Sequence, residues 1–321
     1  MLYSTFVTGL QEPISEWVAQ EGGRVRQILD GAIIYDSVFV AGQPVSMPCF
    51  FNTFTVLAKD KGSVEQLMRK VLRNPPNFNP PGFNPSGLKR KRGGSFRLVT
   101  SKENQLIAVD KKLRSDVEKL VSARTGATPD RRGGGHEFWF LSRSEGVTLF
   151  MERRQAPREP KLKKGELRPQ LAYCLNRLAN PTPEDIMIDP FCGYGAIPAA
   201  RARYFPCREI HALDIDMQKI KGQKIKALPA GIKARRADIS EIFSIFPAQS
   251  ADVIVTDPPW GVFEAVDGAL YENLAKACKH LLRPGGRAVI LTAQKELVQE
   301  WQPKARYDIL VSGQKAAVFV F

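Results

Sequence analysis

From residue 185 onward the chain alternates between short apolar runs and longer stretches whose apolar residues recur at helical spacing. The pattern predicts strands over 186–189, 209–213, 233–237, 252–256 and 287–292, and helices over 196–204, 217–227 and 268–282. A closing pair of strands is expected near 306–311 and 315–321. Ile186-Met187-Ile188 and Val253-Ile254-Val255 carry no polar alternation, as expected of strands covered on both faces. Strands alternating with helices build a parallel sheet, and the closing pair suits an antiparallel hairpin at its edge. The first half is patterned differently. Residues 3–7, 32–35, 50–58, 96–100, 138–141 and 147–151 read as strands, the last two paired around the Ser144-Glu145-Gly146 turn. Residues 12–20, 64–72 and 109–125 read as helices, so a smaller α+β layer is expected ahead of the α/β half.

Two stretches fit neither pattern. Residues 74–95 hold five prolines and no periodicity, and run into Lys89-Arg90-Lys91-Arg92, which predicts an irregular insertion. Phe78 and Phe83 lie in near-repeats there. They read either as rings for stacking on unpaired bases or as parts of a flexible loop whose basic end attracts phosphate. Residues 153–168 read as a basic linker containing Arg153, Arg154, Lys161, Lys163 and Lys164, broken by Pro157 and Pro160. These stretches concentrate the charge. The chain carries +14 overall, with 26 basic against 12 acidic residues in 51–168 but 2 against 5 in 1–50 and 19 against 16 in 169–321. An excess gathered in the middle of the chain points to a polyanionic partner.

Composition otherwise changes little, with 43% hydrophobic and 25% charged residues, as in ordinary globular proteins. No apolar run is long enough to span a bilayer, and the first ten residues lack the regions of a signal peptide. Cys49, Cys174, Cys192, Cys207 and Cys278 form no CxxC pair, so neither a disulfide framework nor a metal site is expected, and a reducing cytoplasm is the expected setting.

The candidate chemistry sits at two strand ends. Asp189-Pro190-Phe191-Cys192-Gly193-Tyr194-Gly195 follows the first strand of the α/β half, and Asp257-Pro258-Pro259-Trp260 follows the fourth. Ligands of open parallel sheets bind at that edge, where strand order reverses. Gly193 and Gly195 let backbone approach a ligand just before a helix N-terminus, and no lysine follows them as a phosphate-cradling loop would require. The second stretch combines a carboxylate, a stiff diproline and an aromatic ring, a set suited to gripping a flat ring that bears an amino group. Asp214 closes the second strand, where an acid can accept from ribose hydroxyls, and Asp238 ends the third as a candidate acceptor for an adenine amino group. His136, His211 and His280 read as structural, and Cys192 as a small apolar filler.

The first motif resembles the cofactor loop of class I S-adenosylmethionine-dependent methyltransferases. The second is similar to the Asn/Asp-Pro-Pro-aromatic motif of those that methylate exocyclic amino groups of nucleobases. The resemblance implies a Rossmann-like fold with S-adenosylmethionine held by Asp189, Pro190, Phe191, Cys192, Gly193, Gly195, Asp214 and Asp238, and with Leu167, Arg168 and Pro169 over its methionine end. It implies that the Asp257 carboxylate and Pro258 carbonyl accept hydrogen bonds from the target amine, on a loop stiffened by Pro259, and that Trp260 stacks on the flipped base.

Residues 96–153 are similar to the latter part of a THUMP domain, an RNA-binding module found in front of tRNA and rRNA methyltransferases. The segment before them is similar to the ferredoxin-like domain that accompanies it. The expected domains are therefore 1–60 (ferredoxin-like), 61–152 (THUMP-like, with the 74–95 insertion), the 153–168 linker and 169–321 (methyltransferase). The implied activity is N2 methylation of guanine in tRNA or rRNA by a monomer. Lys89, Arg90, Lys91, Arg92, Arg131, Arg132, Arg153, Arg154, Lys161, Lys163 and Lys164 would then face the RNA. Trp260 departs from the tyrosine or phenylalanine of many such enzymes and leaves adenine N6 open. A non-catalytic RNA-binding protein with a vestigial cofactor fold is the reading from another class.

Overall fold

Local signals set where the first helices begin and end. Helix α2 (Val64–Arg73) starts at Ser63, whose side chain accepts from the Gln66 amide while the Gln66 side chain accepts from the Ser63 amide, a reciprocal cap. Helix α3 (Lys111–Thr125) is capped by Asp110 on the Leu113 amide at 2.7 Å and stopped by Gly126 at φ 71°. The computed structural model describes residues 1–36, 47–78, 94–130, 135–153, 162–216, 218–219, 231–261 and 268–321, with the backbone pairing of β4 (Phe39–Val40) and β5 (Gln43–Pro44). It divides into two bodies, Met1–Phe6 with Ile14–Glu159 and Val7–Pro13 with Pro160–Phe321. Helix α1 (Gln11–Gln20) contributes to both.

The first body is built on one sheet. Its strands are β1 (Leu2–Thr5), β2 (Arg24–Leu29), β3 (Ala32–Asp36), β6 (Asn52–Asp60), β7 (Ser95–Lys102), β8 (Gln105–Leu106), β9 (Thr128–Pro129), β10 (His136–Arg143) and β11 (Val147–Arg153). They lie in the order β2-β3-β1-β6-β11-β10-β7-β8, with β9 also on β7. Segments 1–60 and 61–152 thus share a single sheet. Helices α2 and α3 set Val64, Leu67, Met68, Val71, Leu113, Val117 and Val121 against Phe96, Phe138, Phe140 and Phe150 of the strands. Phe78 belongs to this cluster. It is buried, with its ring edge-on to Phe138 at 5.9 Å and to Phe150 at 6.0 Å. The reading of Phe78 as a base-stacking ring is therefore corrected: apolar burial against two phenylalanines takes the ring out of reach of a base. Phe83 lies outside the described residues.

The second body carries β12 (Ile186–Asp189), β13 (Glu209–Asp214), β14 (Ile232–Arg236), β15 (Ala251–Thr256), β16 (Leu282–Thr292), β17 (Ala305–Val311) and β18 (Gln314–Val320), in the order β14-β13-β12-β15-β16-β18-β17. The first five are parallel, and β18 runs antiparallel to both β16 and β17. This is the predicted Rossmann-like sheet with its edge hairpin. Its described helices are α4 (Pro169–Leu178), α5 (Ala196–Tyr204), α6 (Ile242–Ile245), α7 (Gly268–Leu281) and α8 (Lys295–Gln299). Ile188, Leu213, Ile254 and Ile290 of the strands pack with Ile242, Leu274 and Leu281 of the helices. The helix expected over 217–227 lies outside the described residues, save 218–219.

The chain leaves β12 toward β13 and β14, then returns to lay β15 on β12's other side. Strand order therefore reverses between β12 and β15, the two strands whose C-terminal ends carry the motifs. Just before β12 starts, fully buried Arg201 of α5 bonds the Asp185 carboxylate at 2.8 Å and the Thr182 and Pro206 carbonyls. Arg287 of β16 bonds the same carboxylate. Burial raises the Asp185 carboxyl, but the Thr182 amide and the two guanidiniums more than reverse this and hold it below its ordinary range.

Candidate cofactor and substrate site

Asp189 ends β12 with no exposed surface. Its Oδ1 accepts from the Thr256 hydroxyl at 2.8 Å, on neighbouring β15, and from the Phe191 amide at 3.2 Å. Among the described residues nothing bonds its buried Oδ2. Burial drives the carboxyl well above the ordinary range, beyond what the Thr256 and Phe191 bonds offset, and the Asp257 and Asp214 charges push it the same way.

The turn that follows is tied to β13. The Cys192 amide donates to the Leu213 carbonyl at 2.7 Å, and the Gly193 amide to Asp214 Oδ2 at 2.8 Å. Gly193 (φ 50°) and Gly195 (φ 79°) are left-handed, and Gly195 caps α5. A Cβ added to Gly193 would meet nothing within 4 Å, so the space beside the turn is open. An unbonded buried carboxylate oxygen next to an open glycine turn fits the ammonium and backbone-sized chain of a methionine-type cofactor. Asp214 Oδ1 accepts from the Asp216 amide at 2.8 Å. Cys192 is buried and its thiol is pushed up, by burial first and then by Asp189 and Asp214, which leaves it inert as a nucleophile. Asp238 follows directly on this cluster, since the Ala237 amide before it donates to the Asp214 carbonyl at 3.2 Å. Its carboxylate accepts from the Ser240 amide (2.9 Å) and hydroxyl (2.6 Å), and the Glu241 carboxylate accepts from the Asp238 amide.

The second motif continues from β15. The Trp260 indole Nε1–H donates to Asp257 Oδ1 at 2.8 Å. The Tyr271 hydroxyl of α7 lies 3.1 Å from the Pro259 carbonyl and 2.5 Å from Thr292 Oγ1. Gln294 Nε2 donates to the Trp260 carbonyl at 2.7 Å. Asp257 retains some exposed surface yet is closely enclosed, and desolvation pushes its carboxyl up to about 7 against the lowering effect of the indole bond. Burial likewise raises the Tyr271 phenol to about 12. Among the described residues no donor reaches Asp257 Oδ2 or the Pro258 carbonyl. Tyr271, Thr292 and Gln294 were not foreseen from sequence. The one available signal was Thr292 and Gln294, on either side of Ala293, closely following Val289-Ile290-Leu291, and it needed the strand order to be read.

The remaining predicted residues divide. Arg168 and Pro169 form the start of α4, and Lys163 lies with its ammonium 4.8 Å from the centroid of the Tyr194 ring, which brings the 163–169 segment beside the glycine turn. Arg153 bonds Glu137 at 3.1 Å and Asn52 at 2.6 Å, so its charge is compensated within the first body. Lys164 is exposed. Lys89, Arg90, Lys91, Arg92, Arg131, Arg132, Arg154 and Lys161 lie outside the described residues. His136 begins β10 and faces Glu152 at 3.2 Å, His211 pairs with Glu209, and His280 contacts the Phe246 carbonyl. Among the described residues no cluster of His, Cys, Asp and Glu is arranged to hold a metal, and no helix is long and apolar enough to cross a membrane.

Residues 157–308 match the family model described as UPF0020, RMKL-like, methyltransferase domain. The chain is 28% identical over 221 residues to the tRNA (guanine(6)-N2)-methyltransferase of Thermus thermophilus, covering 65% of each chain. It is 32% identical over 183 residues to the tRNA (guanine(6)-N(2))-methyltransferase THUMP3 of Mus musculus, covering 48% of this chain and 35% of that one. The chain thus spans less than two thirds of the length of either relative. Among solved structures, TrmN from Thermus thermophilus superposes with a TM-score of 0.79 over 99% of this chain and 98% of that one, at 22% identity, and so shares the fold.

Proposed function

We propose that the protein transfers the methyl group of S-adenosylmethionine to an exocyclic amino group in structured RNA, namely guanine N2 of tRNA. One observation carries this reading. The glycine turn after β12 and the Asp-Pro-Pro-Trp loop after β15 stand on adjacent parallel strands at the reversal point, joined by the Thr256–Asp189 hydrogen bond. The bound cofactor supplies an electrophilic methyl carbon on a sulfonium. Asp189 Oδ2 and the 193–195 turn would hold its methionine end together with Leu167, Arg168 and Pro169, while Asp214 would serve the ribose and Asp238 the adenine.

Asp257 Oδ2 and the Pro258 carbonyl accept the two N–H bonds of the target amine. They draw the nitrogen toward tetrahedral geometry and aim its lone pair, so the loop works by positioning and electrostatics. A carboxyl near 7 is also matched to take the proton that the nitrogen loses once methylated. Trp260 offers its ring to the base.

The names of the two relatives favour guanine N2 in tRNA. Trp260 after Asp-Pro-Pro favours adenine N6 as the second reading. The cationic 51–168 segment supports an RNA partner, with a ferredoxin-like and THUMP-like first body acting as the RNA-binding part of a cytoplasmic monomer. Incubation with methyl-labelled cofactor and tRNA from an undermodified strain, followed by nucleoside mass analysis, tests the proposal. Label in N2-methylguanosine supports it, label in N6-methyladenosine replaces the base, and no cofactor binding by calorimetry would leave a vestigial fold.

A further inference from the structure

A ring that only stacks on a base needs no polar partner. Trp260 instead commits its single polar side-chain atom, with Nε1–H donating to Asp257 Oδ1 at 2.8 Å. The same loop is held at two further points from outside itself. The Tyr271 hydroxyl of α7 holds the Pro259 carbonyl at 3.1 Å, and Gln294, just beyond β16, holds the Trp260 carbonyl at 2.7 Å. Both anchors are themselves braced on Thr292, Tyr271 at 2.5 Å and the Gln294 amide at 2.9 Å. These bonds occupy Asp257 Oδ1 and the Pro259 and Trp260 carbonyls. Among the described residues, no donor bonds Asp257 Oδ2 or the Pro258 carbonyl.

An exocyclic amine carries two N–H donors, whereas a ring nitrogen carries one at most and a ring carbon none. A carboxylate left to itself rotates about a broad, roughly two-fold torsion, and the indole bond removes that freedom before a base arrives. We propose that Trp260 is a positioning residue for Asp257, and Tyr271 and Gln294 for the loop backbone, so that a bound base meets two acceptors set for an NH2 group. This rests on the reading of the loop as the amine-binding edge. Among the described residues, the titratable groups facing Asp257 are the Asp189 carboxyl from β12 and the Tyr271 phenol from α7, with the neutral indole inside the loop.

Trp260→Phe keeps a ring and deletes the donor. Its kcat should fall about tenfold or more while KM for RNA stays within about twofold. The rise of rate with pH should move upward by about one pH unit, because the carboxylate has lost a charge-assisted hydrogen bond. Gln294→Ala touches only backbone and should lower kcat with the midpoint unmoved. Wild-type kcat and midpoint in Trp260→Phe, or equal midpoint shifts in both variants, would overturn the assignment.

A second measurement needs no turnover and no variant of the indole. In the wild-type protein without RNA, the Trp260 indole N–H resonance should titrate with a midpoint near 7, and the titration should vanish in Asp257→Asn. An indole resonance that stays put across that range sinks the inference even if methyl transfer is observed. A titrating indole in a protein that methylates no RNA keeps the clamp and removes the functional reading instead.

Discussion

In the proposed reaction the chemistry turns on Asp257, and its protonation can be followed. Only the ionised carboxylate accepts two-sidedly, so with a carboxyl near 7 methyl transfer should rise with pH through about 7 and level off above it. Any residual rate of Asp257→Asn should be flat over the same range in a pH–kcat profile. The stability sign runs the other way. A carboxyl raised from 3.8 to about 7 on folding makes the wild type lose stability as pH rises between those values, and Asp257→Asn should not follow. Denaturant melts of the two proteins across that window check this. Asp257→Ala should abolish methyl transfer yet leave cofactor affinity within about twofold by calorimetry, because the cofactor-type turn is bonded through Asp189 and Asp214 rather than through Asp257. Loss of both would mean misfolding. Asp189, Gly193, Asp214 and Asp257 were legible in sequence because each is a special residue placed right after an apolar run. Tyr271 and Gln294 were not, since their partners lie twelve and thirty-four positions away. Phe78 misled because a proline-rich context hides a core residue.

At the level of elements, the glycine turn and the buried ion network make separable predictions. Gly193→Ala adds a Cβ in open space, so its stability penalty is confined to the left-handed backbone, about 1 kcal/mol. Cofactor affinity should fall by more than this, by about a hundredfold or roughly 2.7 kcal/mol, since the methyl occupies the approach to the turn. An affinity loss no larger than the stability loss would remove the cofactor from that face. Arg201→Ala removes one of the two guanidiniums on the buried Asp185 carboxylate, leaving it to Arg287 and to the Thr182 amide and hydroxyl, and should destabilise the second body by about 3 kcal/mol in urea unfolding.

The sheet strands were readable wherever burial on both faces made them continuously apolar, as in β12 and β15. Strand β2 was missed because Arg24, Arg26 and Gln27 punctuate it at the sheet's edge. The start of β16 was missed because Pro284-Gly285-Gly286 reads as a turn although it lies within the strand.

Over the whole molecule, one body presents the reversal point with its two motifs, and the other builds a single sheet from segments that sequence patterning had divided at residue 60. The concentrated charge of 51–168 makes a prediction of its own. Neutralising Lys89, Arg90, Lys91 and Arg92 should flatten the salt dependence of RNA binding, by about 0.9 in log–log slope for each duplex phosphate that is no longer neutralised. An unchanged slope in filter-binding titrations would assign that run to solvent. On the proposed function, charge and base chemistry are separable: the basic run would set how tightly RNA is held, while the 257–260 loop would set which atom is methylated.

That separation allows a direct test of the central claim, using a substrate RNA whose methylated guanosine is replaced by inosine, which lacks only the 2-amino group. RNA binding should stay close to that of the parent, and methyl transfer should be lost completely. Transfer of label to the inosine-containing RNA at that position would contradict the claim.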